Sequence, residues 1–134
     1  MYNGIYDKER FAYVHHMVER WLRLRLQGSG LGDRLGKAGV RSVAVYGIGG
    51  LGELTKKDLQ GAGVRIVCWI DRKSSEYPTG VDGVPVMAPE EYGASREGDI
   101  VLVTPEHVFR PIAGHLMECG VPMERIVSLA MALE

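Results

Sequence analysis

Residues 7–27 carry the apolar pattern of a helix. They contain neither Gly nor Pro, and apolar residues recur at three- and four-residue spacing. This apolar sector covers more than half of the helix circumference, which is wider than one packing face requires. Its members are Phe11, Val14, Val18, Trp21, Leu22 and Leu26, with Tyr13, Met17 and Leu24 beside them. We therefore expect this helix to keep apolar groups exposed after it has covered its own domain.

A glycine-rich stretch follows the helix at residues 28–32. No strand precedes it and no Lys-Ser/Thr pair ends it, so it lacks the marks of a phosphate-binding loop. We interpret it as a flexible connector, followed by a short helical piece over residues 33–38. Residues 1–39 are thus predicted to form a helical extension with a Gly-rich linker. Residues 40–134 are predicted to form the globular domain.

Strands and helices alternate from residue 41 onward. Strands are predicted at 42–46, 64–70, 99–104 and 125–129, with a very short one at 84–86. Helices are predicted at 51–62, 89–92 and 111–119. In the helix at 51–62, the residues expected to face inward are Leu51, Leu54 and Leu59. In the helix at 111–119, they are Ile112, Ala113, Leu116 and Met117. Nearly continuous apolar strands separated by helices are typical of a parallel sheet covered on both faces. We predict a three-layer Rossmann-like α/β sandwich with about five parallel strands and an amino-terminal helical extension.

One motif indicates a ligand. The segment Gly47-Ile48-Gly49-Gly50-Leu51-Gly52 matches G-x-G-x-x-G between a predicted strand and a predicted helix. Asp71 follows Gly52 by 19 positions, where dinucleotide-binding domains have an acidic residue at about 20. The first glycine allows the tight turn, the second lets a diphosphate approach the backbone, and the third lets the helix pack closely. Asp71 would accept hydrogen bonds from the ribose hydroxyls.

The predicted binding residues are Gly47, Gly49, Gly50, Gly52, Asp71, Arg72 and Thr104, and the predicted ligand is NAD or a nucleotide-sugar. Thr104 ends the third substantial strand, at the edge of the sheet where such folds bind ligands. Asp71 disfavours a ribose 2′-phosphate by charge repulsion, so NAD is preferred over NADP. In another interpretation the glycines only make a tight turn in a scaffold that has lost its ligand, and Glu53 in the first helical turn would repel a diphosphate or cap the helix itself.

The composition of the chain restricts the classes of protein and of partner that remain possible. The chain has 134 residues, 46% of them apolar and 25% charged, as expected for one globular domain. Sixteen basic and 17 acidic residues give a net charge of −1, which argues against nucleic acid as a partner. We expect no membrane span and, because charges occupy the first ten residues, no signal peptide, which predicts a cytoplasmic protein. Cys68 and Cys119 are too few for a disulfide framework or a cysteine-based zinc site, and no metal site is predicted.

Several segments resemble a group of bacterial Rossmann-like domains. They are the strand and turn 43–49, Trp69-Ile70-Asp71, residues 82–86 with 89–91, and residues 120–129. Similar segments occur at the amino end of sugar O-acyltransferases and at the carboxyl end of sugar C-methyltransferases. The resemblance implies nucleotide-sugar binding and a link to sugar or polysaccharide metabolism. The acyltransferases carry a His before the last glycine of the loop, and this chain has Leu51 there.

Three functions remain open from the sequence. The first is a nucleotide-binding domain that is not catalytic on its own. The second is a small NAD-dependent oxidoreductase subunit. However, Tyr13, Tyr46 and Tyr92 lack the Lys four residues later that short-chain enzymes use. His107 also has no evident Ser, Cys or carboxylate partner. No catalytic residue is therefore predicted. The third is an interaction module that forms a homodimer through the helix at 7–27. The competing interpretations are a helix that lies in a groove of its own domain and buries both apolar sides there, and a basic membrane-surface helix.

Overall fold

The computed structural model describes residues 4–134, with side chains from Lys8 onward. Five strands and six helices form an α/β domain over this range. The strands are β1 Ser42–Tyr46, β2 Arg65–Ile70, β3 Val86–Met87, β4 Ile100–Val103 and β5 Ile126–Ser128. The helices are α1 Gly4–Leu26, α2 Leu31–Lys37, α3 Gly50–Gly61, α4 Pro89–Ser95, α5 Phe109–Glu118 and α6 Leu129–Ala132. No described helix is long and apolar enough to cross a membrane.

The five strands form one parallel sheet in the order β3-β2-β1-β4-β5. The chain moves outward from β1 to β3 on one side, and then crosses to β4 and β5 on the other. Strand order therefore reverses between β1 and β4. The carboxyl ends of these two strands form the switch point where doubly wound α/β folds bind their ligands.

Two apolar cores cover the sheet, because alternate strand residues face opposite sides. Val43 and Val45 of β1 point into the core beneath α1, α2, α3 and α6, whereas Ala44 and Tyr46 point toward α4 and α5. Both faces of β1 and β4 are therefore buried, which explains why their sequences are almost continuously apolar. The predicted three-layer sandwich with a parallel sheet of five strands is confirmed.

Two residues predicted to face inward do not. Leu54 is 53% exposed and Met117 is 44% exposed. In α3 the buried face is formed instead by Gly52, Thr55, Asp58 and Leu59. This face is largely polar or without a side chain, so the apolar pattern of the sequence does not mark it. Leu54 consequently lies on the outer side of the domain.

The glycine-rich stretch after α1 is packed, not an exposed flexible connector. Gly30 and Gly32 are buried, and α2 begins at Leu31, before the predicted start. The carboxylate of Asp58 accepts hydrogen bonds from the backbone N–H groups of Leu31 (3.0 Å) and Gly32 (2.9 Å). A Cβ at Gly30 would lie 2.7 Å from Asp58 Oδ1. The glycines are therefore required for the close approach of α2 to α3.

Candidate functional site

The glycine loop lies between β1 and α3, at the switch point of the sheet. Gly47 has φ +103°, a conformation that residues with a Cβ rarely adopt. A Cβ at Gly47 would also lie 2.6 Å from Thr104 Oγ1 and 3.0 Å from Pro105 Cδ. Both the backbone angle and the space beside β4 therefore require glycine here.

Gly52 lets α3 sit directly on this turn. A Cβ at Gly52 would collide with the carbonyl oxygen of Gly47 and would lie 3.4 Å from Trp69 Cζ3. This close approach of helix and strand is the packing role that the motif assigns to its third glycine. It brings the first turn of α3 next to the end of β1.

The amino terminus of α3 is open. Gly49 precedes the first residue of the helix, and no side chain caps that helix end. Gly49 and Gly50 are exposed, and a Cβ on either would meet nothing within 4 Å. The carboxylate of Glu53 lies 3.5 Å from the Lys57 ammonium group and does not form the cap considered above. No capping side chain therefore occupies this helix end, and the amino terminus of a helix is a place where an anion is favoured.

Asp71 lies beside the loop, as the spacing of the motif predicts. It follows β2, and its Oδ2 accepts a 3.4 Å hydrogen bond from the N–H of Ile48. Its Oδ1 accepts a 2.8 Å hydrogen bond from the N–H of Lys73. These contacts orient the half-buried carboxylate next to the glycine loop. A carboxylate offers about four acceptor positions, so Asp71 can still accept from a ligand.

A family comparison covers this site. The family model described as C2185-like, N-terminal, matches residues 39–127. The chain belongs to the C2185-like N-terminal family. The matched segment contains the glycine loop and Asp71 and reaches into β5, but it includes neither α1 nor α2. No curated protein matches the chain.

Thr104, a predicted binding residue, lies beneath the glycine loop of this C2185-like domain. It is buried, and its hydroxyl donates a 2.9 Å hydrogen bond to the carbonyl oxygen of Tyr46. Thr104 therefore joins the carboxyl ends of β4 and β1. Since its side chain also fills the space beside Gly47, its observed role is to hold the shape of the loop.

Arg72 and His107 each have neighbours of their own. Arg72 interacts with the phenol of Tyr46, on the side of the sheet that faces α4 and α5. Burial raises the pKa of that phenol, whereas its hydrogen bond with Arg72 lowers it. His107 is exposed and lines a cavity of about 500 Å³ together with Tyr13 and Arg110.

Buried acids were missed by the sequence analysis. Asp58 accepts three hydrogen bonds, among them one from the indole N–H of Trp21 at 2.7 Å. Glu106 follows β4, is buried, and accepts a 3.3 Å hydrogen bond from the N–H of Ala130. The pKa of Tyr13 is raised, mainly by burial and secondly by the charge of Glu106. A polar residue at a buried helical position is the only sequence signal for Asp58. For Glu106, the signal is its position just after a buried strand.

An apolar groove of about 340 Å³ lies between α1 and α3 of the C2185-like chain. Its walls include Val18, Leu22 and Leu54, whose side chains are exposed, and Trp21, which is buried. The groove lies on the helices over one face of the sheet, whereas the glycine loop is at the carboxyl ends of the strands. The apolar groove and the glycine loop are therefore two separate surfaces of the molecule.

Proposed function

We propose that the chain binds a diphosphate-containing nucleotide, either NAD or a nucleotide-sugar, at the glycine loop. The observation that carries the proposal is the uncapped amino terminus of α3 at the switch point, with the Asp71 carboxylate beside it. Anions bind at such helix ends because free N–H groups and the helix dipole both favour negative charge.

The loop accommodates each part of such a ligand differently. The diphosphate would lie over Gly49 and Gly50, where no Cβ obstructs its approach. The ribose would lie toward β2, where Asp71 accepts from its hydroxyl groups. This arrangement supports an unphosphorylated ribose, since a 2′-phosphate would meet a carboxylate.

The proposed domain binds its ligand and acts together with a partner, as the sequence predicts, and no catalytic residue is assigned to it. Thr104 uses its hydroxyl to donate to the backbone of Tyr46. Among the described residues, no hydrogen bond joins His107 to a Ser, a Cys or a carboxylate. The resemblance to domains of sugar-modifying enzymes supports a partner-dependent role in sugar or polysaccharide metabolism. A ligand of this class also suits the cytoplasmic location expected from the sequence.

Calorimetry and thermal-shift measurements with NAD, NADP, UDP-sugars and coenzyme A test the proposal. A ligand that binds the folded state raises the melting temperature in a concentration-dependent way. We expect Gly49→Val and Gly50→Val to abolish binding. Gly50→Val should retain the fold, whereas Gly49→Val also strains the loop, because Gly49 has φ +159°, which residues with a Cβ rarely adopt. Gly36→Val is the matched control, because a Cβ at Gly36, like one at Gly50, meets nothing within 4 Å. No heat with any ligand at millimolar concentration would refute nucleotide binding and leave the scaffold interpretation.

The apolar groove favours a second function, that of an interaction module. Phe11 is 76% exposed and Leu22 is 58% exposed on α1, although both residues are large and apolar. Exposed apolar patches mark interaction surfaces when they are large and contiguous. A chain that self-associates but binds no nucleotide in the measurements above would be a scaffold of this kind.

A further inference from the structure

A cluster of three different donor groups lies between α4 and α5, on the opposite face of the sheet from the apolar groove. Glu90 is in the first turn of α4, His115 is in α5, and Cys119 follows the last residue of α5. One ligand atom from each side chain lies within 4.8 Å of the other two. Among the residues that the structure describes, this is the only group of three such side chains that could hold a metal ion.

Two features of the sequence hold the donors together. His115 and Cys119 are four residues apart, which places both side chains on one side of the helix end. Gly93 lets α4 approach them, because a Cβ there would lie 2.8 Å from the Cβ of Cys119 and still closer to its carbonyl oxygen. The position of Glu90 relative to the other two is therefore fixed by helix packing and not by a flexible loop.

The distances suit a shared metal ion. Oε1 of Glu90 lies 3.2 Å from Nε2 of His115. Two such ligands on one tetrahedral zinc ion, each bonded at about 2.1 Å, lie about 3.4 Å apart. The imidazole also has Nδ1 buried without a hydrogen-bond partner in the described part of the chain. Binding of the ion to Nε2 would replace one protein contact, the one between His115 and Glu90, and would leave the ring proton on Nδ1.

We propose that Glu90, His115 and Cys119 form a zinc site that links α4 to α5. Imidazole nitrogen, thiolate sulfur and carboxylate oxygen are the donors that zinc prefers in proteins. On binding, the Cys119 thiol releases its proton to solvent and the thiolate forms the zinc–sulfur bond. The Glu90 side chain is 67% exposed, so solvent reaches the ion and water completes its coordination. This proposal stands independently of nucleotide binding at the glycine loop.

Titration of the tag-free, reduced full chain with Zn²⁺ and with Co²⁺ tests the site. We expect one metal ion per chain and, with Co²⁺, the intense near-ultraviolet absorption of a cobalt–thiolate bond. Zn²⁺ should also raise the melting temperature, and a chelator should reverse the change. If the folded, reduced wild type lacks the thiolate band with Co²⁺, the proposal is wrong.

Variants separate this site from adventitious binding. Cys119→Ser should lose the thiolate band. His115→Gln and Glu90→Gln should weaken Zn²⁺ binding at least about 10-fold, because even the loss of a residue that only supports a metal ligand changes the affinity about 10–100-fold. Cys68→Ala, His16→Gln and Glu124→Gln are matched controls and should bind as the wild type does. Circular dichroism checks that each variant is folded. Unchanged affinity of folded Cys119→Ser would also overturn the proposal.

Discussion

Asp58 illustrates how one residue connects three helices. It lies on α3, and its buried carboxylate accepts from the N–H groups of Trp21 on α1 and of Leu31 and Gly32 on α2. The guanidinium group of Arg25 lies 4.0 Å from it but is half exposed. The hydrogen bonds, more than this distant ion pair, compensate for the burial of the charge.

We predict that Asp58→Asn destabilises the fold by about 2–3 kcal/mol, because the amide keeps only one acceptor oxygen for three donors and hydrogen bonds to charged groups are among the stronger ones. Urea unfolding followed by circular dichroism measures the change. Asp82→Asn is the control, since the Asp82 carboxylate is exposed and forms a surface ion pair with Lys56 at 2.9 Å. Equal effects of the two substitutions would show that the Asp58 network does not stabilise the fold.

Asp71 should discriminate between nucleotides if the proposed function is correct. We expect the wild type to bind NAD more tightly than NADP, and Asp71→Asn to reduce this preference about 10-fold, which equals about 1.4 kcal/mol. Removing the charge removes the repulsion of a 2′-phosphate. Calorimetry with both nucleotides measures the ratio. Tighter binding of NADP by the wild type would indicate that Arg72 and Lys73 face the ribose instead.

Asp99 gives the fold a dependence on acid pH. Its carboxylate accepts from the backbone N–H groups of Arg41 (2.8 Å) and Ser42 (3.1 Å), and these bonds lower its pKa. Since the folded pKa lies below the ordinary value of about 3.9, the stabilisation is present above that value and is lost as the pH falls through the folded pKa.

We therefore predict that Asp99→Ala is less stable than the wild type at pH 7. The difference should shrink as the pH falls below the ordinary Asp value of about 3.9 and disappear below the folded pKa, where the carboxyl is protonated in both the folded and the unfolded state. Urea unfolding at a series of pH values measures this difference. A difference that is the same at pH 7 and in acid would mean that the charge of Asp99 contributes nothing.

At the scale of elements, the sequence predicts the sheet better than the helix contacts. The five strands were found within two residues of their boundaries, because long apolar runs and flanking glycines mark them. The proximity of Asp71 to the glycine loop was also predictable, since a βαβ unit places both at adjacent strand ends. The contacts of Asp58 with α1 and α2 were not predictable from the sequence. They depend on how distant helices cross, which has no local signature.

The two glycines of α2 should respond in opposite ways to the same substitution. Gly32→Ala would place a Cβ 2.6 Å from the Cβ of Ala62, whereas a Cβ at Gly36 meets nothing within 4 Å. We expect Gly36→Ala to stabilise the chain by about 0.5–1 kcal/mol through helix propensity. Gly32→Ala should destabilise it by about 1–3 kcal/mol through overpacking. Chemical denaturation of both variants provides the comparison, and a stabilised Gly32→Ala would contradict the close packing of α2 on α3.

At the scale of the whole molecule, α1 has two apolar sides with different surroundings. Met17 and Trp21 are buried in the core between α1 and the sheet. Phe11 and Leu22 lie on the outer side and are exposed, and Leu54 of α3 extends this apolar surface. Removing residues 1–27 would therefore expose part of the core as well as delete the outer surface. Point substitutions on the outer side test its role more cleanly.

Three of the four arginines of α1 argue for a protein partner over a membrane surface. Arg20 donates to the carbonyl oxygen of Leu133, and Arg23 lies 2.8 Å from the carboxylate of Glu19. Arg25 is directed toward Asp58. All three cations are thus engaged within the chain, and this leaves the apolar side chains as the main feature of the outer surface. A two-fold axis next to α1 would bury this surface against its own copy.

We predict that the chain is a homodimer and that Leu22→Glu makes it monomeric, because the dimer would have to bury an unpaired carboxylate. Light scattering coupled to size-exclusion chromatography measures the mass, and circular dichroism confirms the fold. Met123→Glu is the matched control, because Met123 is 69% exposed at a site away from α1 and α3. This variant should remain dimeric. A monomeric wild type at micromolar concentration would exclude the dimer, and flotation of that monomer with anionic liposomes would then favour the membrane interpretation.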